Sequence, residues 1–168
     1  MKTNIGIYSI IMLLIATSCS VKYSFTGASI SPDIKTFSVA YIDNQAPTKQ
    51  ATLSDVFTEG LKEKLRTGTG LSMVTSFGDL QFEGAIVEYA TNYLGVTASQ
   101  QAASNRLTIT VKILFTNTKE PTKNFEKRFS RYYDFDATQN LSTIETAAIK
   151  QISDQIIEDI FLEAVANW

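Results

Sequence analysis

Three sets of side chains in this sequence are of types that do chemistry. The first is the lone thiol, Cys19, which follows Ala16-Thr17-Ser18. Small residues directly before a cysteine are the arrangement of a bacterial lipobox, in which the sulfur is diacylated and the cysteine becomes the new N-terminus. The second set is two carboxylate doublets, Asp134 with Asp136 and Glu158 with Asp159. Acid hydrolysis needs two carboxyls roughly 5 to 10 Å apart in a cleft. The first doublet reads instead as turn chemistry before a helix, and the second as a helix surface. The third set is a run of seven cations, Arg106, Lys112, Lys119, Lys123, Lys127, Arg128 and Arg131, accompanied only by Glu120 and Glu126.

Much other chemistry is excluded. Histidine is absent and there is one cysteine, which removes His-based acid/base work, His-ligated or Cys-rich zinc sites and any intrachain disulfide. There is no Gly-x-Ser-x-Gly, no glycine loop to cradle a phosphate and no helical His pair. No catalytic residue, metal or cofactor is therefore expected. At 168 residues, with 44% hydrophobic and 19% charged side chains, the chain is a single globular domain by default and should bury a core.

The start of the chain has to be set aside before the elements are placed. Lys2 is followed by an apolar run from Ile5 to Ala16 and then by small residues, the layout of a removable signal peptide over residues 1–18. That run of 12 residues falls short of the roughly 20 that a spanning helix needs. Acylation of Cys19 would hold the protein on a bilayer, since each buried methylene contributes about 0.8 kcal/mol. An ordinary secretory signal with a chance cysteine, or a core cysteine, are the other readings. By resemblance to bacterial sorting rules, the absence of aspartate directly after Cys19 points to outer-membrane delivery. Residues 19–32, rich in Ser, Thr and Gly, read as a tether or short edge strand, and 33–168 as one domain.

The elements follow from hydrophobic periodicity. Ile34 to Ile42 carries β-branched and aromatic residues and predicts a strand, followed by a loop around Pro47. Thr52 with Asp55 suggests a capping box for a helix to about Arg66, with Leu53, Val56, Phe57, Leu61 and Leu65 on one stripe and Gly68 and Gly70 beyond it. A short strand over 71–75 and a longer one from Leu80 to about Val96 come next. Arg106 to Asn117 alternates most regularly, with Leu107, Ile109, Val111, Ile113 and Phe115 on one face. A turn with Pro121 leads to a last strand from Phe125 to about Phe135. Ser142 and Glu145 suggest a second capping box, opening a helix that runs close to Asn167 with Ile144, Ala148, Ile152, Ile156, Ile160 and Ala164 as its stripe. Ile157 and Trp168 are left over as exposed. Strand, helix, four strands, helix predicts an α+β fold, two helices on one face of a four- to five-stranded mixed sheet.

Segments spread along the chain now combine: Cys-Ser-Val-Lys-Tyr-Ser-Phe-Thr-Gly at 19–27, Asp-Leu-Gln-Phe-Glu-Gly at 79–84, Asn-Arg-Leu-Thr-Ile-Thr-Val-Lys at 105–112, Arg-Phe-Ser-Arg-Tyr-Tyr-Asp-Phe-Asp at 128–136 and a terminal Val-Ala-Asn-Trp. In this order behind a lipobox they resemble the LptE family, also called rare lipoprotein B, in its Bacteroidetes-type form. The resemblance covers nearly the whole mature chain. It implies an outer-membrane lipoprotein, held by acyl chains on Cys19, that plugs an LptD-type β-barrel from the periplasmic side. Such a protein helps the barrel assemble and takes part in lipopolysaccharide transport without catalysing a reaction.

Charge and aromatics supply candidate sites. Without residues 1–18 the balance is 14 basic against 17 acidic side chains, so no nucleic-acid partner is indicated. The window from Arg106 to Arg131 is +5, and the rest of the mature chain is −8. Guanidinium forks and lysines match phosphate oxygens, which makes Arg106, Lys112, Lys127, Arg128 and Arg131 lipopolysaccharide candidates. The other reading is solvated charge that guards strand edges against pairing. On the last strand Phe125, Lys127, Phe129, Arg131 and Tyr133 share one face, and Glu126, Arg128, Ser130 and Tyr132 the other. Tyr132, Tyr133, Phe135 and Trp168, with Tyr89 and Tyr93, are candidate contacts for a barrel wall, although core packing is the default for each. A freestanding periplasmic lipoprotein that binds peptidoglycan, lipid or another secretion complex is the alternative function.

Overall fold

A computed structural model of the chain describes residues 30–95 and 103–166. In chain order it has β1 (Thr36–Val39), β2 (Asp43–Asn44), α1 (Leu53–Gly68), β3 (Ser72–Met73), β4 (Leu80–Tyr93), β5 (Ser104–Asn117), a 3-10 turn (Pro121–Lys123), β6 (Phe125–Asp136) and α2 (Leu141–Phe161). A π-helical turn over Leu162–Ala166 continues α2. The strands form one sheet in the order β3-β1-β4-β5-β6, with β2 pairing to β4 further along. β1 lies parallel to β3 and β4, while β4, β5 and β6 are antiparallel. The expected α+β mixed sheet is present, with the two-residue β2 as an addition where a loop was expected.

Both helices cover the same sheet face, because that face carries the apolar half of every strand. From α1, Leu53, Phe57, Leu61 and Leu65 recur every fourth residue and are fully buried. They meet Phe37 of β1, Leu80, Phe82 and Ile86 of β4, and the odd-numbered run Leu107 to Phe115 of β5 in one core. Phe82 and Phe115 are cross-strand partners with ring centroids 5.0 Å apart, and Phe125 of β6 stacks on Phe115 at 5.1 Å. The α2 stripe of Ala148, Ile152, Ile156, Ile160 and Ala164 completes this layer.

Local chemistry departs from the sequence reading in several places. Thr52 precedes α1 with helical φ and ψ, so its side chain makes no cap. Its amide and hydroxyl instead bind Gln50 Oε1 at 2.8 and 3.1 Å. The cap of α2 is Asn140, whose side chain accepts from the Ser142 amide at 3.1 Å. Glu145 does not close a box, because it accepts a hydrogen bond from the Tyr89 hydroxyl. Val56 is exposed at the margin of the α1 stripe, whereas Ile157 is buried. Ile157 reaches α1 because Gly60 has no side chain: a Cβ there would lie 2.8 Å from Ile157 Cδ1.

A bulge at Val87 shifts the β4 register between Ile86 and Glu88. The extra residue moves the inward positions from even to odd numbers, which is why Tyr89 is buried and Glu88 faces outward.

Candidate functional site

The sheet face away from the helices carries no helix; the loop before β4 crosses β1 on it, and over β5 and β6 its side chains form a polar ladder built by strand register. Each outward residue of β5 faces an outward residue of β6: Arg106 meets Asp134, Thr108 meets Tyr132, Thr110 meets Ser130 and Lys112 meets Arg128. The Arg106 guanidinium grips Asp134 with both arms, Nε to Oδ1 at 2.6 Å and Nη2 to Oδ2 at 2.7 Å. It also lies 3.6 Å from the centroid of the Tyr132 ring. This pairing holds the Asp134 carboxyl below its ordinary range and raises Arg106 further. Asp134 is thus a strand residue with a cation partner, not the turn group that its spacing suggested. Asp136 does make a turn, accepting from the Thr138 amide at 2.8 Å.

Below that pair the ladder continues. The Thr110 hydroxyl donates to Glu88 Oε2 at 2.6 Å and shares a 2.9 Å hydrogen bond with Ser130 Oγ. Lys112 pairs with Glu126 of β6. Arg128 stands directly across from Lys112 and forms no ion pair among the described residues. Two depressions open on this face. One, of about 440 Å³, is bounded by Pro47, Thr48, Glu88, Ala90, Thr110 and Arg128. The other, of about 310 Å³, lies over Gln45, Glu83, Ala85, Lys112, Leu114 and Glu126. Gly84, Ala85 and Ala90, which carry little side chain, leave room for them.

The five candidate cations are divided by the sheet. Arg106, Lys112 and Arg128 share the open face. Lys127 and Arg131 point to the helix side, where acids of α2 and its π-turn meet them. Arg131 makes a two-armed contact with Asp159, both distances 2.6 Å, and Lys127 pairs with Glu163 at 3.0 Å. The Asp159 contact raises the Arg131 pKa further. These two pairs fasten the end of α2 over the edge strand β6.

The candidate aromatics divide as well. Tyr132 is exposed on the open face, Tyr133 is half-buried against the core, and Phe135 is buried within it. Tyr93 is exposed, whereas Tyr89 is buried and bonded to Glu145. Burial and this hydrogen bond push the Tyr89 hydroxyl well above the ordinary phenol range. Cys19 and Trp168 lie outside the described residues. Glu88, Thr110 and Ser130 complete the ladder and were not singled out in the sequence. The alternation of β5 carried a signal for Thr110, but the bulge hid the outward turn of Glu88.

Among the described residues no group of three acidic, Cys or His side chains converges as a metal site. None of the described helices is long and apolar enough to cross a membrane.

Two solved structures share the fold, and a third is similar to it over a comparable length. A minor lipoprotein from Acinetobacter baumannii is 14% identical, with a TM-score of 0.50 over 78% of this chain and 94% of that one. A hypothetical protein from Chlamydia trachomatis is 9% identical, with a TM-score of 0.52 over 80% of this chain and 98% of that one. A rare lipoprotein B from Shewanella oneidensis is 17% identical, with a TM-score of 0.44 over 75% and 90%. No curated protein sequence matches the chain. The pattern of the LptE family, described as lipopolysaccharide-assembly, matches residues 34–163, from the start of the sheet into the π-turn that ends α2. The chain therefore belongs to the LptE lipopolysaccharide-assembly family.

Proposed function

We propose that this member of the lipopolysaccharide-assembly family is anchored in the outer membrane through acyl chains on Cys19 and seats in the lumen of an LptD-type β-barrel. There it helps the barrel assemble and takes part in moving lipopolysaccharide to the outer leaflet. The observation that carries this reading is the bare sheet face. It is broad, lacks a helix and presents mainly polar groups that pair with one another, from Arg106 and Asp134 to Lys112 and Glu126. The lumen of an outer-membrane barrel is polar, so a surface that docks there has to stay hydrogen-bonded without being apolar.

On the same reading, Arg106, Lys112 and Arg128 are the cations that meet lipopolysaccharide phosphates. Arg128 carries the most weight, because no carboxylate among the described residues competes for it. Lys127 and Arg131 serve first to hold α2. Tyr132 and Leu114, both exposed on the open face, are contacts for the barrel wall.

The test is purification of the tagged, acylated protein from membranes in mild detergent. A large barrel protein that copurifies in a defined ratio is the expected result. Recovery of the protein alone, or with peptidoglycan, would replace the proposal with a freestanding periplasmic lipoprotein.

A further inference from the structure

The open face has a second half, over β1 and the start of β4, that the polar ladder does not use. Ser38 of β1 and Gln81 of β4 are cross-strand partners. Ala40 and Glu83 follow them at the same period of two, opposite to the buried Phe37, Val39 and Phe82. Together with Phe77, in the loop between β3 and β4, these residues line a depression of about 180 Å³.

Phe77 is the unusual member of the lining. It is 90% exposed, more than any other large apolar residue described, and its φ of 55° lies in the left-handed region that favours glycine. A phenylalanine here gains neither burial nor an easy backbone, so packing within the domain does not explain it. The loop that carries it is firmly held. Gly78 donates its amide to Ser38 Oγ at 3.2 Å, and a Cβ on Gly78 would lie 2.6 Å from the Phe37 carbonyl carbon. Asp79 then accepts from the Lys35 and Thr36 amides at 2.9 and 3.0 Å. The backbone beneath the ring is therefore fixed at the margin of the depression.

The polar groups of the lining offer acceptors and no cation. Gln81 Nε2 donates to the Gly78 carbonyl at 3.0 Å, which leaves its own amide oxygen for a donor. Glu83 is exposed, and its carboxylate has neither an ion pair nor a hydrogen bond among the described residues. Lys112, across the adjoining depression, is taken by Glu126. No residue lining the Phe77 depression is basic. A carboxylate, an amide oxygen and an aromatic ring around one small hollow are the groups that receive a guanidinium or an ammonium.

We propose that this depression is a socket for one basic side chain, an arginine or a lysine, of the protein that docks on the open face. The charged head meets Glu83 and Gln81, and the side chain lies against Phe77. The inference rests on the reading of that face as the docking surface and gives it a direction. Cations lie over β5 and β6 on one half and acceptors beside β1 on the other, so a partner with a basic group at the socket can seat in only one orientation.

The test is recovery of the barrel protein with the tagged, acylated full chain in mild detergent. Glu83→Gln and Phe77→Gly should each recover at least about tenfold less barrel than wild type, as when one partner of a desolvated charged contact is lost. Glu83→Lys should recover less than Glu83→Gln, because it sets a cation against a cation. Added salt should release barrel from wild type more than from Glu83→Gln. Urea midpoints should hold, and that of Phe77→Gly should match or exceed wild type, because glycine adopts this backbone angle without strain. Wild type recovered without a barrel overturns the docking reading and the socket with it. Equal recovery by wild type and every variant leaves that reading standing and overturns the socket, as does a fall in midpoint that tracks the lost recovery. Equal recovery by Glu83→Lys and Glu83→Gln overturns the basic occupant and with it the proposal.

Discussion

The two faces of the sheet are made from the same strands and hold together by different means. On the helix side, Phe37, Phe82, Phe115 and Phe57 are essentially inaccessible and interlock with α1 and α2. On the open side, contacts run between polar groups of adjacent strands, and the ion pairs among them are exposed enough for water to compete. Stability therefore resides on one face, leaving the other free to be specified for a partner. Surface pairs of this sort contribute little to folding, with a median of about 0 to 1 kcal/mol.

The largest expected difference comes from truncating the core. Phe82→Ala or Phe115→Ala should each cost about 3 to 5 kcal/mol in urea unfolding, since each leaves a cavity among rings that cannot collapse into it. Thr108→Ala, on the outer face of β5, should shift stability by no more than about 0.5 kcal/mol. A similar loss for both would mean that the open face is part of the core.

A second contrast concerns the join between strands. A Cβ at Gly84 would sit 2.1 Å from the Lys112 carbonyl oxygen, so Gly84→Val must push β4 from β5, at a cost of about 1 to 3 kcal/mol or more. Gly70 provides the comparison, because a Cβ added there would meet nothing within 4 Å. Gly70→Ala should be tolerated.

The divided cations sharpen the comparison further. Arg131→Glu removes a two-armed contact and sets a third acid beside Asp159 and Glu163, so its urea midpoint should fall. Arg128→Glu breaks no ion pair and should leave the midpoint unchanged while weakening retention of lipopolysaccharide in a low-salt pull-down. If the two variants behave alike in both assays, the assignment of these residues to separate roles is wrong.

The smallest effect is one of pH. Hydrogen bonds from the Lys35 amide, Thr36 and Lys119 draw the Asp79 pKa down from 3.8 to about 2. A carboxylate depressed in the folded chain contributes stability that is fully present above the unfolded value and is lost as pH falls through the folded one. Wild-type stability should therefore decline between about pH 4 and pH 2, and Asp79→Asn should remove part of that slope.

How far these features could be read from sequence depends on the range of the interactions that set them. The alternation of Leu107 to Phe115 gave β5 and its buried face, and the sharing of β6 faces by Arg128 and Arg131 followed from the same period of two. Helix stripes were readable at Leu53, Phe57, Leu61 and Leu65 because burial repeats at helical spacing. What failed was decided by partners distant in the chain or by single backbone angles. Ile157 looked exposed because its neighbour is Gly60 on another helix. Glu145 had the spacing of a capping box but is claimed by Tyr89, 56 residues earlier. The Val87 bulge leaves no mark in composition. The cations stand out in the sequence as a group, yet that the sheet divides them and that Lys127 and Arg131 are met by Glu163 and Asp159 depends on where α2 lies.

The claim that the bare sheet face is the docking surface can be tested most directly by photocrosslinking in cells. A photoreactive residue at Leu114 or Thr108 should give adducts with a large outer-membrane barrel protein. Absence of such adducts from both positions, with crosslinks arising only from the outer side of α2 at Gln155, would contradict the account.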